Sequence, residues 1–272
     1  MDWIRIESGA YWSVIVVSFL GVAIWETIRP RGDLSTPAAR RWRNHSLILI
    51  LSTVISAGLL RTSPMIIAAS VAGGNLGLLN RPWLPSAARW ILAFLLLDFV
   101  RYAIHRTFHA APLLWRVHQV HHSDPDIDVS TALRFHPIEV ILTHGAYLAM
   151  VAVLAPPIGA VLLSELVSIF QDFFVHANTS LPQRLQKWVT VVFFTPDTHR
   201  IHHSEDVWEQ NRNFGQLFSW WDRLFHTYVP APAAGHDAMI VGLRGYQNNN
   251  SLRLAFMLTQ PFLPERRRGG SP

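Results

Sequence analysis

The hydrophobic pattern divides the chain into long apolar runs separated by short polar connections. The first run, YWSVIVVSFLGVAIWETI at residues 11–28, has about the length of one bilayer crossing, for which ~20 residues at ~1.5 Å rise suffice. It has neither the basic leader nor the small-residue cleavage site of a removable signal, so a retained helix is expected. SLILILSTVISAGLL (46–60) predicts a return crossing. SPMIIAASVAGGNLGLLN (63–80) is apolar but broken by Gly73, Gly74 and Gly77, which predicts a re-entrant or interfacial piece. AARWILAFLLLDFVRYAIHRTFH (87–109) enters again with a polar second half, and residues 138–154 and 158–175, split by Pro156-Pro157, predict a helical hairpin. The expected fold is all-α: an integral membrane bundle of four to five helices plus a re-entrant piece, with a histidine-rich cap. Three stretches are expected: 1–86 with the N-terminal membrane helices, 87–230 with the catalytic chemistry, and 231–272 as a C-terminal tail.

Composition sharpens this picture. Half the residues are hydrophobic and 15% are charged, against roughly 25% in soluble domains. The net charge of +5 is almost wholly arginine, Lys187 being the one lysine. The arginines flank apolar runs and form no basic stripe, so nucleic acid is not an expected partner. Arg29, Arg31, Arg40, Arg41 and Arg43 cluster after the first run. By the positive-inside rule that connection is cytoplasmic and the N-terminus outside. Every histidine-rich stretch, and the terminal Arg266–Arg268, then falls on the cytoplasmic side. There is no cysteine among the 272 residues, which removes disulfides, iron–sulfur clusters and thiolate metal sites. Any transition metal must be held by nitrogen and oxygen, and there are 14 histidines.

Eight of those histidines fall into three spaced groups. HQVHHSD (118–124) and HRIHHSE (199–205) repeat one pattern, and His105 precedes His109 by four residues. On a helix, positions i, i+3 and i+4 share a sector, so His118, His121 and His122 can approach one centre, as can His199, His202 and His203, while His105 and His109 can chelate together. Eight imidazoles exceed the four ligands of one tetrahedral zinc and suit two ions. Clustered neutral rings without a cation would leave buried nitrogens unpaired, at ~1–3 kcal/mol each. Asp98 and Tyr102 share the face of His105 and His109, and a carboxylate so placed is expected to take the other ring N–H of His105 or the Tyr102 hydroxyl, the alternative being a helix-packing salt bridge with Arg101 or a neighbour.

The ordered set His105-x-x-x-His109, His118-x-x-His121-His122 and His199-x-x-His202-His203, set among apolar helices, resembles the fatty acid hydroxylase superfamily, including sterol desaturases and C-4 sterol methyl oxidases. HHSDPDIDVSTALRFHPIE (121–139), FFVHANTSLP (173–182) and NFGQLFSWWDRLFHTY (213–228) resemble further blocks of that family, so the likeness covers about residues 90–230. It implies a membrane enzyme with a non-haem di-iron centre and O₂ as co-substrate, hydroxylating or desaturating a lipid C–H bond of a sterol or fatty acyl type. The metal's identity comes from the resemblance, since imidazole suits iron, zinc, copper and nickel alike.

The resemblance adds His176 as a ninth ligand. It leaves His136 as pocket-lining or supporting, and Asp197, Asn178, Asn213 and Arg134 as groups orienting ligands or substrate. His45, His144, His226 and His236 are read as ordinary polar residues; at His226 relatives often carry glycine. No dinucleotide fingerprint is present, so electrons are expected from an external ferredoxin or cytochrome with its reductase. The arginine-rich composition points to a bacterial inner membrane. The alternatives are a zinc-dependent membrane hydrolase, which would want His-Glu-x-x-His, and a metal transporter, which would spread acids and histidines along a path through the bilayer.

Overall fold

The computed structural model describes residues 3–74, 77–248 and 250–264; the basic Arg266–Arg268 lie outside the described residues. Five long helices make the body: α1 (Trp3–Ile28), α2 (Ala38–Leu60), α4 (Ser86–Ala110), α6 (Pro137–Leu154) and α7 (Ile158–Val175). Shorter helices are α3 (Pro64–Ala72), α5 (Pro112–His122), α8 (Gln183–Val189), α9 (Pro196–His202), α10 (Val207–Gln210), α11 (Trp220–Leu224) and α12 (Leu254–Thr259). Among the described residues there is no strand, only two isolated bridges, Phe193 with Phe218 and Ser204 with Val241.

Four segments are long and apolar enough to cross a membrane: Gly9–Ile28, Ala38–Ala72, Pro137–Leu154 and Ile158–Val175. Their outer faces are apolar; Val17 is 69% and Val54 64% exposed, a surface that suits lipid rather than water. The chain therefore reads as an integral membrane protein. Helix α4 is as long as these but carries Asp98, Arg101 and Arg106 in its second half. It sits centrally, packed on α5, α6 and α7.

Proline and local capping set the helix ends. Pro137 and Pro196 occupy first turns, where a missing N–H costs nothing. His136 Nδ1 accepts the N–H of Ile138 at 3.2 Å to cap α6, and Thr195 with Thr198 forms a capping box on α9. Helix α6 stops at Ala155, in the left-handed region (φ 46°), before the two prolines. The nine-residue α3 is too short to cross. The chain after it returns to the α6 end, where Leu78 and Leu79 donate to the carbonyls of Val153 and Leu154. Gly77 makes that approach possible: its φ is +91°, and a Cβ there would lie 2.2 Å from that of Ala155.

The end of α1, the start of α2, the end of α4, the start of α6 and the end of α7 all meet one cap. Glu26 on α1 accepts the N–H groups of Val129 and Asn178, each at 3.0 Å. Arg41 on α2 is fully buried and bonds Asp124 (2.6 and 2.9 Å), Asp128 (2.9 and 3.2 Å) and Asp126 (3.5 Å). This changes the topology argument. Arg41 and Arg31, the latter paired with Asp197, are neutralised inside the protein, so of that cluster only Arg29, Arg40 and Arg43 have no ion-pair partner among the described residues.

Helices α6 and α7 do not pack along each other. Each packs on α4, and the cleft between them is the cavity described next.

Candidate metal centre

The nine histidines expected as ligands converge at the cap end of the bundle. They form two groups: His105, His109, His118, His122 and His202, and His121, His176, His199 and His203, with the candidate donor atoms of each group within 4.8 Å of one another. All are buried except His105, which is half-buried.

The grouping differs from the expectation that each box converges on one centre. Each box is divided. His118 and His122 enter the five-ring group while His121 enters the other; His199 and His203 enter the four-ring group while His202 crosses over. Adjacent rings are perpendicular, with interplanar angles of 89° for both His121–His122 and His202–His203.

Ring orientation decides whether a cation belongs here. His105 Nδ1 lies 2.8 Å from the carbonyl of Phe214, His202 Nδ1 2.8 Å from that of Arg212, and His118 Nδ1 2.5 Å from Glu139 Oε1. A carbonyl or carboxylate oxygen only accepts, so each Nδ1 carries the hydrogen and each Nε2 is a bare lone pair. Yet His105 Nε2 lies 3.1 Å from His118 Nε2 and 3.0 Å from His202 Nε2. Three lone pairs face one another with no hydrogen between them. In the second group His176 Nδ1 donates to the Asp172 carbonyl at 2.7 Å, and its Nε2 faces those of His121 and His199 at 3.2 and 3.0 Å. Both nitrogens of His109, Nδ1 of His121, His122 and His199, and Nε2 of His203 are buried without a partner.

Separations of 3.0–3.2 Å are those of nitrogens ~2.0–2.1 Å from one ion and roughly 95–105° apart. The donor set fits two transition-metal ions. Burial also keeps these rings neutral: it holds His121, His122, His199, His202 and His203 well below the ordinary histidine range and His176 at about 4.

The supporting residues differ from those expected. Asp98 bonds neither His105 nor Tyr102; it accepts from Trp221 Nε1 at 2.8 Å and the Phe218 N–H at 3.4 Å, pinning α11 to α4. Tyr102 meets Thr227 Oγ1 at 3.1 Å. Asp197 pairs with Arg31, and Asn178 donates to the Gly32 carbonyl at 2.8 Å. Arg134 is buried against the backs of both flanking segments, donating to the carbonyls of Val120 and Ser251 and to His45. His136 caps α6. Asn213, at φ 54°, donates to the carbonyls of Thr198 and Val229, shaping the loop that presents the Phe214 carbonyl to His105.

These groups brace the cap rather than touch the rings. The residue that sequence reasoning missed is Glu139, which holds His118. Its signal was there: an acid in the first turn of an otherwise apolar helix. The backbone carbonyls of Phe214, Arg212 and Asp172 left no sequence signal.

A cavity of about 350 Å³ lies between α6 and α7. It touches both ring groups, through His105 and His118 of one and His121, His176 and His199 of the other. Ile104, Phe108, Phe135, Val140 and Ile169 give it apolar walls, and Arg101, Tyr147 and Glu165 close its far end. Phe135 stacks on His121 at 4.4 Å between ring centroids.

With this geometry in hand, comparison with known proteins is decisive. The fatty acid hydroxylase family model matches residues 90–227. The chain belongs to the fatty acid hydroxylase family. The alkylglycerol monooxygenase of Danio rerio is 31% identical over 198 residues, 70% of this chain and 42% of the relative. The ornithine lipid hydroxylase of Rhizobium tropici is 28% identical over 221 residues, 80% of this chain and 64% of the relative. Methylsterol monooxygenase 1 of Rattus norvegicus is 23% identical over 148 residues, covering 54% and 48%. The chain thus spans about two-fifths of the length of the alkylglycerol monooxygenases it matches. No solved structure gave a significant match.

The family places the histidines described above within its matched region. Gly215 and His226 also lie there. Gly215 is packed so closely that a Cβ would meet Phe194 at 2.3 Å. His226 has φ 56°, a conformation glycine adopts freely.

Proposed function

We propose that this chain is an O₂-dependent membrane oxygenase that hydroxylates a C–H bond of a lipid at two irons held by the nine histidines. The observation that carries the reading is the cleft between α6 and α7, whose walls are apolar and whose floor is made of rings from both groups. When bound, the irons would supply the activation of O₂ that oxidation of an unactivated C–H bond requires.

The rest is the work of this chain. Glu139 and the carbonyls of Phe214, Arg212 and Asp172 fix four rings in the tautomer that offers Nε2, so little reorganisation accompanies metal binding. Phe108, Phe135 and Val140 shield the cleft from water and guide an alkyl segment toward the rings. The three relatives named above are a hydroxylase and two monooxygenases, which favours hydroxylation over desaturation; their substrates range over ether lipid, ornithine lipid and sterol, so the class proposed is lipid. Arg29, Arg40 and Arg43 favour a cytoplasmic cap, and the near-absence of lysine beside many arginines favours a bacterial inner membrane, with electrons supplied by an external carrier.

The test is lipid mass spectrometry of cells with and without the gene under ¹⁸O₂. A lipid gaining one ¹⁸O only when the gene is present is the expected result. Unchanged lipids in every class would refute the reading. So would purified protein holding a single zinc that survives His118→Ala or His202→Ala.

A further inference from the structure

Hydroxylation with O₂ balances as RH + O₂ + 2e⁻ + 2H⁺ → ROH + H₂O, so on the oxygenase reading two electrons must reach the metal held by the rings through the protein surface. Among the anchored rings of the five-histidine group, two lead inward. His105 donates to the carbonyl of buried Phe214 and His118 to buried Glu139. His202 leads outward. Its Nδ1 donates to the carbonyl of Arg212 at 2.8 Å, and the Arg212 guanidinium lies 4.8 Å from the ring of Trp208, an indole 57% exposed. From that indole to the rings there is one stacked cation, its own backbone and one hydrogen bond.

The surrounding face is consistent in character. Arg212 also donates to the carbonyl of His226 at 3.4 Å. The adjacent Phe225, 40% exposed, carries the guanidinium of Arg106 at 5.7 Å from its ring centre. Among the described residues, neither Arg106 nor Arg212 has a carboxylate within 4.0 Å. Asp222, the acid electrostatically linked to Arg106, is buried and occupied by the N–H groups of Phe214 and Gly215 and the Thr227 hydroxyl, and Asp206 caps α10, accepting the N–H groups of Trp208 and Glu209. Arg106 also donates to the Tyr102 hydroxyl at 3.3 Å, so among the described residues two arginines without a carboxylate partner, each stacked on an exposed aromatic, lie beside rings of the candidate centre. Arginine and tryptophan are the side chains that most often dominate docking energies, and unpaired cations select an acidic partner.

We propose that this face, formed by Arg106, Trp208, Arg212 and Phe225, docks an acidic one-electron carrier protein, whose electrons would pass by way of Arg212 and His202 to the metal that the histidines would hold. The proposal rests on the oxygenase reading for its purpose, but its test does not depend on turnover.

The full chain in nanodiscs, without metal, is tested for binding to a plant-type [2Fe–2S] ferredoxin by biolayer interferometry. Wild type should bind, less so as salt is raised. Arg106→Glu and Trp208→Ala should each weaken binding about tenfold or more, while Arg106→Lys should stay near wild type, separating charge from misfolding. In iron-loaded protein the ferredoxin-driven reduction rate should fall by the same factor in Arg106→Glu and Trp208→Ala, with reduction by dithionite unchanged. No ferredoxin binding by wild type, or variants that bind like wild type, would overturn the proposal.

The rival occupant of such a face is the bilayer. The chain has no cysteine, so a spin label at Trp208→Cys reports that position alone. Relaxation by an aqueous nickel chelate is expected; relaxation by O₂ and not by nickel would put the face in lipid and overturn the docking. Failure of dithionite-driven lipid oxidation would instead refute the oxygenase reading and leave the binding data standing.

Discussion

Glu139 offers the sharpest test of how the rings are held. Its Oε1 accepts from His118 Nδ1 at 2.5 Å, and both side chains are buried. A hydrogen bond to a charged group is worth ~1.5–3 kcal/mol, and 1.4 kcal/mol is tenfold in affinity. Losing the support of a ligating ring should therefore cost roughly 10–100-fold in metal affinity. Glu139→Gln keeps an oxygen that can accept from Nδ1 but removes the charge, so a loss of about tenfold is expected. Glu139→Leu also strands the Nδ1–H, and about a hundredfold is expected. Because Glu139 supports a ring of the five-histidine group only, the first metal lost should be that group's. Iron per chain, measured by mass spectrometry during titration with a chelator, should fall in two steps in Glu139→Leu, the first shifted and the second near wild type. Wild-type retention in both variants, or equal weakening of both steps, would refute this account of the support.

Three further outcomes follow from the same structure. Burial holds His121, His122, His199, His202 and His203 below the ordinary value and His176 at about 4. Between ~4 and ~6.5 the unfolded chain thus binds more protons than the folded one, and stability falls as pH drops through that window. Metal-free protein should melt lower at pH 5 than at pH 7.5, and equal midpoints would contradict neutral buried rings. Arg41→Ala removes the cation from among Asp124, Asp126 and Asp128 and should destabilise by ~3–5 kcal/mol, with Arg41→Lys milder; a denaturation loss below ~1 kcal/mol would show that the cluster is not held by that charge. His226→Gly relieves a left-handed residue (φ 56°) whose strain is ~1–2 kcal/mol, offset by ~0.5–1 kcal/mol of glycine entropy. A gain of up to ~1 kcal/mol in unfolding free energy is expected, and a clear loss would show that the histidine makes a contact of its own.

The long helices and eight of the nine converging histidines were legible because both depend on local periodicity; His176 was reached only through the resemblance. An apolar run of 18 residues has one reading, and histidines four apart on a helix must adjoin. What surrounds the rings was not legible in the same way. Asp98 shares a helical face with His105, yet a helical face does not say which way a ring's second nitrogen turns. That is decided by the Phe214 carbonyl, delivered from more than a hundred residues away by a loop that Asn213 and Asp222 shape. Backbone carbonyls have no residue type, so a ring anchored to one leaves nothing in the sequence to find. The arginines after α1 mislead for a related reason. Arg41 reads as a topology charge until Asp124, Asp126 and Asp128 are brought round it by a contact between α2 and the segment after α5.

The division of the histidine boxes follows from helix geometry. At ~100° per residue, positions i and i+4 lie ~40° apart, while i+3 and i+4 lie ~100° apart. The i and i+4 rings can therefore share an ion, and the i+3 ring must turn to the other flank. A His-x-x-His-His box thus contributes rings to both groups. Box 118–122 gives its pair to one group and its single ring to the other, and box 199–203 does the reverse. Each group then holds one pair and one single ring, three from the boxes. His105 and His109 add a second pair to one group, whereas His176 alone joins the other, giving five and four. The four-ring group offers one donor fewer to an ion it would hold, and three of its four rings line the cleft against two of five from its neighbour. Open positions beside substrate space are what non-haem iron oxygenases use. On the proposed reading, an ion held by His121, His176, His199 and His203 would be the one on the substrate side, while His202, through the Arg212 carbonyl, would lead from the other group toward the proposed docking face.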